Sequence, residues 1–356
     1  MTKTRPAALR HASAALALAL LTTPPMAQAA LYISIIEGLG GMPEYAADFR
    51  SMREKVVAAS ESMTDADKLF TFSGESATRA AVLGHFADLG KKMQADDRAA
   101  IYLLGHGSFD GETYKFNIPG PDLTHGDLKD VLEKLPGGTH FLVSTGSASG
   151  ALVEQITGAP APRDDAPARP AARPAADAAA ASKYLLIAGT RNGNERNATQ
   201  FGRFFADALT VTEADLNKNN SISIQEAFDY ADGRVSAYFQ DEGKLATEHD
   251  QLRGDGAAQF NLSRLNALQL KTEIAEARGD DAMTRLIERR QQLDAQIEEL
   301  QLRRNSLSSA DYLAQLQSLV LQAAEVSEQI DAARSERDVI KPELDLEIPA
   351  GGGLGQ

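Results

Sequence analysis

An α/β fold is what this sequence predicts: a mostly parallel sheet with helices on both faces, followed by a C-terminal α-helical hairpin or coiled coil. Three observations carry that expectation. Short apolar runs alternate with helix-length stretches from Leu31 to Leu209, the pattern of strand–helix–strand units whose strands lie buried between helices. The first run is closed by Gly38-Leu39-Gly40-Gly41, a glycine turn that leads into a helical stretch. Past Arg253-Gly254-Asp255-Gly256 the composition changes to long charged segments with leucine at every seventh position, the period of paired helices.

The elements follow in order. Residues 1–29 carry Lys3, Arg5 and Arg10, an apolar run from Ala12 to Leu21 and the small-residue tripeptide Ala27-Gln28-Ala29, which predicts a secretory signal peptide cut before Ala30. The domain expected over residues 30–255 opens with a β-branched strand, Leu31 to Ile36, and a helix from Pro43 to Ala59. The order repeats with a strand from Lys68 to Phe72 and a helix from Thr78 to Met93, then with Ala99 to Leu104 and a helix from His125 to Leu135. A fourth strand, Thr139 to Ser144, leads to Ser147; a fifth, Lys183 to Ala188, precedes a helix from Ala198 to Leu209. Between them, residues 159–182 are almost wholly Ala, Pro, Arg and Asp. Such a segment cannot offset the entropy of ordering and predicts a disordered insertion.

Residues 262–340 are expected to form the helical hairpin or coiled coil. Leu286, Leu293, Leu300 and Leu307 recur at seven-residue intervals with Ile297 beside them, and Leu313, Leu316, Val320, Ala323, Ile330 and Ala333 line one face of a second helix. Asn305 to Ala310 breaks the two, with Ser309 as the expected N-cap. The helices offer a surface for self-association or for another protein, and residues 341–356, ending in a glycine run, read as a disordered tail.

Composition narrows the function. The chain has no cysteine, so no disulfide framework supports it and stability rests on an ordinary core. Its formal charge is −14, and loss of the three basic residues of the leader takes it to −17. That balance argues against nucleic acid or anionic membrane as partners. Beyond the leader no stretch approaches the roughly 20 apolar residues of a membrane span, so the expected location is periplasmic or secreted.

Functional groups in open parallel sheets collect where strands end at their carboxyl edge. His106 follows the third strand directly and Ser147 follows the fourth, so an imidazole and a hydroxyl are expected at one edge. The two segments, Ala100-Ile101-Tyr102-Leu103-Leu104-Gly105-His106-Gly107 and Phe141-Leu142-Val143-Ser144-Thr145-Gly146-Ser147-Ala148-Ser149-Gly150, resemble the paired motifs of the caspase and legumain superfamily of peptidases. Those motifs are an apolar strand ending in His-Gly and a second ending in Cys-x-Ser-Gly, and here serine stands where the cysteine would be. The resemblance extends from Leu31 to Asp255, with Gly111 to Phe116 and Thr190 to Thr199 looking like segments of bacterial members; the helical hairpin lies outside it.

The resemblance implies an endopeptidase in which His106 is the general base, Ser147 the nucleophile, and the N–H groups of Gly107 and Ser147 the oxyanion hole. A hydroxyl, unlike a thiol, must lose its proton during attack, and serine enzymes commonly add a carboxylate that orients the base. Asp110 and Asp122 are the acidic residues near His106 in sequence. The alternative is an inactive pseudopeptidase that serves as an exported protein-binding module through its crevice or its helices.

Two further features bear on partners. Arg191 is expected to end the strand that follows Ser147, near the same crevice, where a cation binds an acidic substrate side chain or pairs with an acidic neighbour. The segment from Asp215 to Glu226 fits a twelve-residue calcium loop. Oxygen side chains fall at Asp215, Asn217, Asn219 and Ser223, a backbone carbonyl at Ser221, and a carboxylate at Glu226. Asn220 holds the position usually given to glycine and is tolerated because asparagine visits the left-handed conformation. Two full negative charges place the affinity toward the weak, extracellular end, with Ca²⁺ in a structural role. His85, His125, His140 and His249 show no ligand spacing.

Overall fold

The computed structural model describes residues 29–159, 183–268, 281–302, 304 and 307–344. In chain order the elements are β1 (Leu31–Glu37), α1 (Pro43–Ser60), β2 (Leu69–Phe72), α2 (Arg79–Lys92), β3 (Arg98–Leu104), β4 (Gly107–Phe109), β5 (Tyr114–Phe116), β6 (Leu123–Thr124), α3 (His125–Lys134), β7 (His140–Ser144), α4 (Ser149–Thr157), β8 (Tyr184–Ala188), α5 (Phe201–Ala208), β9 (Ser221–Ser223), α6 (Ile224–Asp241), β10 (Gln251–Arg253), β11 (Asn261–Arg264), α7 (Asp281–Leu302) and α8 (Ser309–Leu344).

Six strands form the central sheet in the order β2-β1-β3-β7-β8-β10. The first five are parallel, and β10 closes one edge antiparallel to β8. The near-continuous apolar runs predicted as strands are buried on both faces, because alternate residues serve opposite helix layers. On one face Ile33, Ile35, Tyr102, Phe141 and Val143 pack against Phe49, Met52 and Val56 of α1, Phe201 and Phe205 of α5, and Val235 of α6. On the other, Ile36, Ile101, Leu103 and Leu142 meet Val82, Phe86 and Leu89 of α2, Leu128 and Leu132 of α3, and Leu152 and Ile156 of α4. Each large apolar side chain so buried contributes about 1.5–3 kcal/mol relative to exposure.

Three additions were not foreseen. The strands β4, β5 and β6 form an antiparallel meander after β3, β10 pairs with β8, and β11 pairs with β9. They are two to four residues long, too short for a periodic signal. The domain also continues past its expected end at residue 255. Phe260, Leu262 and Leu265 are buried in the same cluster as Phe141, and the Arg264 N–H donates to Ser62 Oγ at 2.9 Å. Helix α5 begins at Phe201 rather than near Ala198, since the preceding residues are held in a loop.

The C-terminal helices α7 and α8 run antiparallel. Met283 and Ile287 of α7 pack with Ile330 of α8, and Arg290 of α7 bonds the Ala323 carbonyl and the Ser327 hydroxyl of α8. Leu293 and Leu300 are buried as their spacing predicts, whereas Leu286 is half-buried and Met283 and Ile287 take its place. Ser308 rather than Ser309 caps α8, accepting the Asp311 N–H at 3.1 Å. The helix runs to Leu344, three residues beyond the expected start of the tail at Lys341. Residues 1–28 of the expected leader, residues 160–182 of the expected insertion and residues 345–356 of the expected tail lie outside the described residues. Among the described residues no helix is long and apolar enough to cross a membrane.

Glycine fixes how the sheet ends. A Cβ at position 146 would sit 2.1 Å from the Gly105 carbonyl oxygen and 2.8 Å from the Gly107 nitrogen, whereas one at position 138 meets nothing. Gly146→Ala is therefore expected to lower stability by about 1–3 kcal/mol, the usual cost of overpacking, and Gly138→Ala to leave the urea unfolding midpoint unchanged or slightly raised.

Candidate active site

The parallel strands β3 and β7 are adjacent and in register, with Ala100 opposite Phe141 and Leu103 opposite Ser144. Their carboxyl ends deliver His106 and Ser147 to one edge. Strand order reverses direction between β1 and β3, the switch point beside which functional groups of such sheets collect. The two turns touch backbone to backbone. A Cβ at Gly107 would lie 2.5 Å from the Ser147 carbonyl oxygen and 2.6 Å from the Tyr114 hydroxyl. Tyr114, fully buried, is itself anchored to Ser144 Oγ at 2.8 Å.

The His106 ring stands edge-on to Tyr45 and Phe49 of α1, with centroids at 4.8 and 4.9 Å. Burial lowers its pKa below the ordinary histidine value, and a hydrogen bond to the Gly40 backbone opposes that shift. The ring is thus neutral near pH 7 and able to accept a proton. Neither nearby aspartate orients it. Asp110 pairs with Lys115 Nζ at 2.8 Å and accepts the Glu112 and Thr113 N–H groups. Asp122 accepts the Ile118 N–H and the Asn117 side-chain amide, each at 3.2 Å.

Ser147 is 7% exposed, and its hydroxyl donates to the Asn197 carbonyl at 2.7 Å. Among the described residues it makes no hydrogen bond to His106. It precedes Ala148, whose φ of 57° lies in the left-handed region, a conformation costing about 1–2 kcal/mol for a residue with a Cβ. That strained residue turns the chain sharply from β7 into α4. The sheet does contain a Ser–His hydrogen bond, from Ser34 of β1 to His85 of α2 at 2.9 Å. It is packed among Phe70, Phe72 and Phe86 and serves the core. His140 is likewise structural: its Nδ1 accepts the Ala99 N–H at 3.2 Å.

Arg191 is fixed through its backbone. Its N–H donates to Glu195 Oε2 at 2.8 Å, and its carbonyl accepts from Gln251 Nε2 at 2.8 Å. The segments around it are acidic, which the sequence reading missed. Glu248 accepts the Gln200 N–H at the start of α5, and burial pushes its pKa up to about 7. Burial, with Asp232 adding to it, pushes Asp250 up to about 8. Residues 247–250 are polar and show no ligand or strand pattern, so only the fold brings these carboxylates inside.

The Asp215–Glu226 segment adopts a wired loop. Asp215 accepts the Asn219 and Asn220 N–H groups at 3.1 and 2.8 Å, and Asn217 and Asn219 accept those of Asn219 and Ser221. Glu226 accepts the Asn217 N–H through one oxygen and the Ser223 N–H and hydroxyl through the other. Asn220 has φ 61°, the left-handed geometry expected at that position. Hard oxygen donors on a preshaped loop fit a calcium ion; no cluster of three or more acidic, histidine or cysteine side chains occurs among the described residues.

The buried ionisable groups give stability a signed pH dependence. Glu248 and Asp250 have raised folded pKa values, so their contribution is full below the unfolded carboxylate range and is lost as pH rises through about 7 and 8. His85, His106 and His140 have lowered values and oppose stability only below about pH 6.5. Between pH 6.5 and 8.5 the urea midpoint is therefore expected to fall, and Glu248→Gln with Asp250→Asn to flatten that fall. An unchanged slope in the double variant would contradict the assignment.

No family model matches the chain, and no curated protein matches it. Solved structures similar to it include caspase-1 from Spodoptera frugiperda, at 10% identity and TM-score 0.36 over 63% of this chain and 86% of that one. The Drosophila initiator caspase Dronc is similar at 10% identity and TM-score 0.26 over 54% of this chain and 71% of that one.

Proposed function

We propose that the chain is an exported peptidase-like hydrolase with Ser147 as nucleophile and His106 as base. The observation that carries this reading is the backbone contact between the Gly105–Gly107 and Gly146–Ser147 turns at the carboxyl ends of adjacent parallel strands. In the reaction Ser147 Oγ attacks a peptide carbonyl carbon while its proton passes to the His106 imidazole. The carbonyl π pair moves onto oxygen, where the Gly107 and Ser147 N–H groups would receive it. Collapse expels the amine, which takes the proton from His106, and water then releases the acyl group by the same route. The Gly40 backbone orients the ring where a carboxylate would serve in a serine triad. It brings no countercharge, so turnover is slow. Arg191 is the cation offered to an acidic substrate side chain, in competition with Glu195, Glu248 and Asp250 on the adjoining segments.

A second reading draws on the Ser147–Asn197 hydrogen bond, which engages the Ser147 hydroxyl with a backbone carbonyl rather than with His106. In it the chain is a non-catalytic module, and α8, with Leu313 and Leu321 more than 60% exposed, engages another exported protein or a second copy.

Purified protein with calcium should cleave peptides slowly. Ser147→Ala and His106→Ala are expected to lose that activity by about a thousandfold or more, and Ser147→Cys to exceed the wild type because a thiol is partly ionised. Silence in all four proteins would reject the peptidase reading and favour the binding module.

We also propose that the Asp215–Glu226 loop holds Ca²⁺ as a structural clamp through Asp215, Asn217, Asn219, the Ser221 carbonyl, Ser223 and Glu226. Calcium at about 100 times Kd is expected to add about 2.7 kcal/mol to stability. Asp215→Ala and Glu226→Gln should abolish the calcium-dependent shift in unfolding temperature, and a shift that persists in both would place the ion elsewhere.

A further inference from the structure

The segment from Thr190 to Gln200 is built as a strap across the nucleophile. Both ends are tied down. The fully buried Thr190 accepts the Gly150 N–H through its hydroxyl and a Gln251 N–H through its carbonyl. At the other end Thr199 Oγ1 donates to the Thr145 carbonyl at 2.6 Å, and the Gln200 N–H to Glu248. Between the anchors the chain crosses the β7–α4 turn and reaches β4. Gly193 presses on the Phe109 ring of β4, where a Cβ would lie 2.2 Å from Cδ1. The Glu195 carbonyl takes the Ala148 N–H at 2.8 Å, and the Asn197 carbonyl takes the Ser147 hydroxyl.

One carboxylate holds the strap closed. Glu195 accepts the Arg191 N–H at 2.8 Å, the His249 N–H at 3.1 Å and His249 Nδ1 at 2.7 Å. It thus joins the strap to itself and to the segment leading into β10. Residues 191–197 carry no apolar side chain, and Asn194, Arg196 and Asn197 are exposed. Little apolar surface resists opening, so closure depends on these polar contacts.

We propose that residues 191–197 form an autoinhibitory strap, latched by Glu195 on His249, that sequesters Ser147 until the segment lifts. The role of the strap rests on reading Ser147 as the nucleophile; its closure does not. Lifting frees the Ser147 hydroxyl from the Asn197 carbonyl and the Ala148 N–H from the Glu195 carbonyl.

The absence of cysteine makes the test direct, because Ser147→Cys creates the chain's only thiol. Its rate of labelling by iodoacetamide, divided by the rate in urea, measures how often position 147 is open. The folded Ser147→Cys protein is expected to label at least about a hundredfold more slowly than the unfolded chain. Adding Glu195→Ala should raise the folded rate about tenfold or more, as loss of a charge-assisted hydrogen bond from the closed state would. The urea midpoint should change little. Adding His249→Gln instead should raise the rate less, and it decides the matter if Glu195→Ala does not fold. A thiol that labels freely in the folded protein, or a protected one that neither substitution releases, overturns the proposal. Labelling needs no turnover: protection without peptide cleavage rejects the peptidase reading alone, and cleavage without protection rejects the strap alone.

Discussion

The carboxyl edge of this sheet depends on the contact between two glycine-flanked turns. Parallel strands at normal spacing leave little room for the loops that leave them, and here Gly107 and Gly146 lack the Cβ atoms that would hold the two loops apart, while Gly105 lacks one that would strike Gly38 after β1. With the turns in contact, the Tyr114 hydroxyl can reach Ser144, and the β4–β6 meander can fold back over β3. The same closeness forces the bend after Ser147, where Ala148 takes a left-handed conformation to start α4. The strain is held by tertiary contacts: Gly150 packs on the Arg191 backbone and Ala148 bonds to Glu195.

Much of this was legible in the sequence. Strands β1, β3 and β7 were bounded to within about a residue because buried parallel strands are unbroken apolar runs, and the glycine turn after β1 marked the entry to α1. The meeting of His106 and Ser147 at one edge followed from strand order alone. The direction of the Ser147 hydroxyl did not, since it is decided by Asn197, fifty residues away. The acidic residues Glu248 and Asp250 were equally hidden, lying in a polar stretch that only the pairing of β10 with β8 draws inward. The domain's end was misplaced because β11 is four residues long and sits where the composition has already changed.

Among the described residues no carboxylate bonds His106, and weight shifts to the backbone. A carbonyl can hold an imidazole in one orientation as well as a carboxylate can, but it adds less to the stabilisation of the charged ring. The Gly40 contact therefore suits a nucleophile that arrives partly ionised better than one that must be deprotonated. Gly40 is confined in turn, since a Cβ there would lie 2.5 Å from the Ala46 nitrogen. The first turn of α1 thus governs the His106 ring as directly as β3 does.

Helix α4 has a consequence for the architecture of the chain. Starting beside Ser147 and ending at Thr157, it carries the backbone across the sheet to the opposite edge, where Lys183 bonds to His140 at the start of β7. The long Ala/Pro-rich stretch is therefore attached at the far end of the molecule from the His106 edge. A break in the backbone there would leave two pieces. The first would hold both His106 and Ser147, the second Glu195, Asn197 and the Asp215–Glu226 loop, and β7 and β8 would remain zipped by their parallel ladder. The fold is thus divisible into two interlocking chains, joined by a ladder from His140–Ser144 on one to Tyr184–Ala188 on the other.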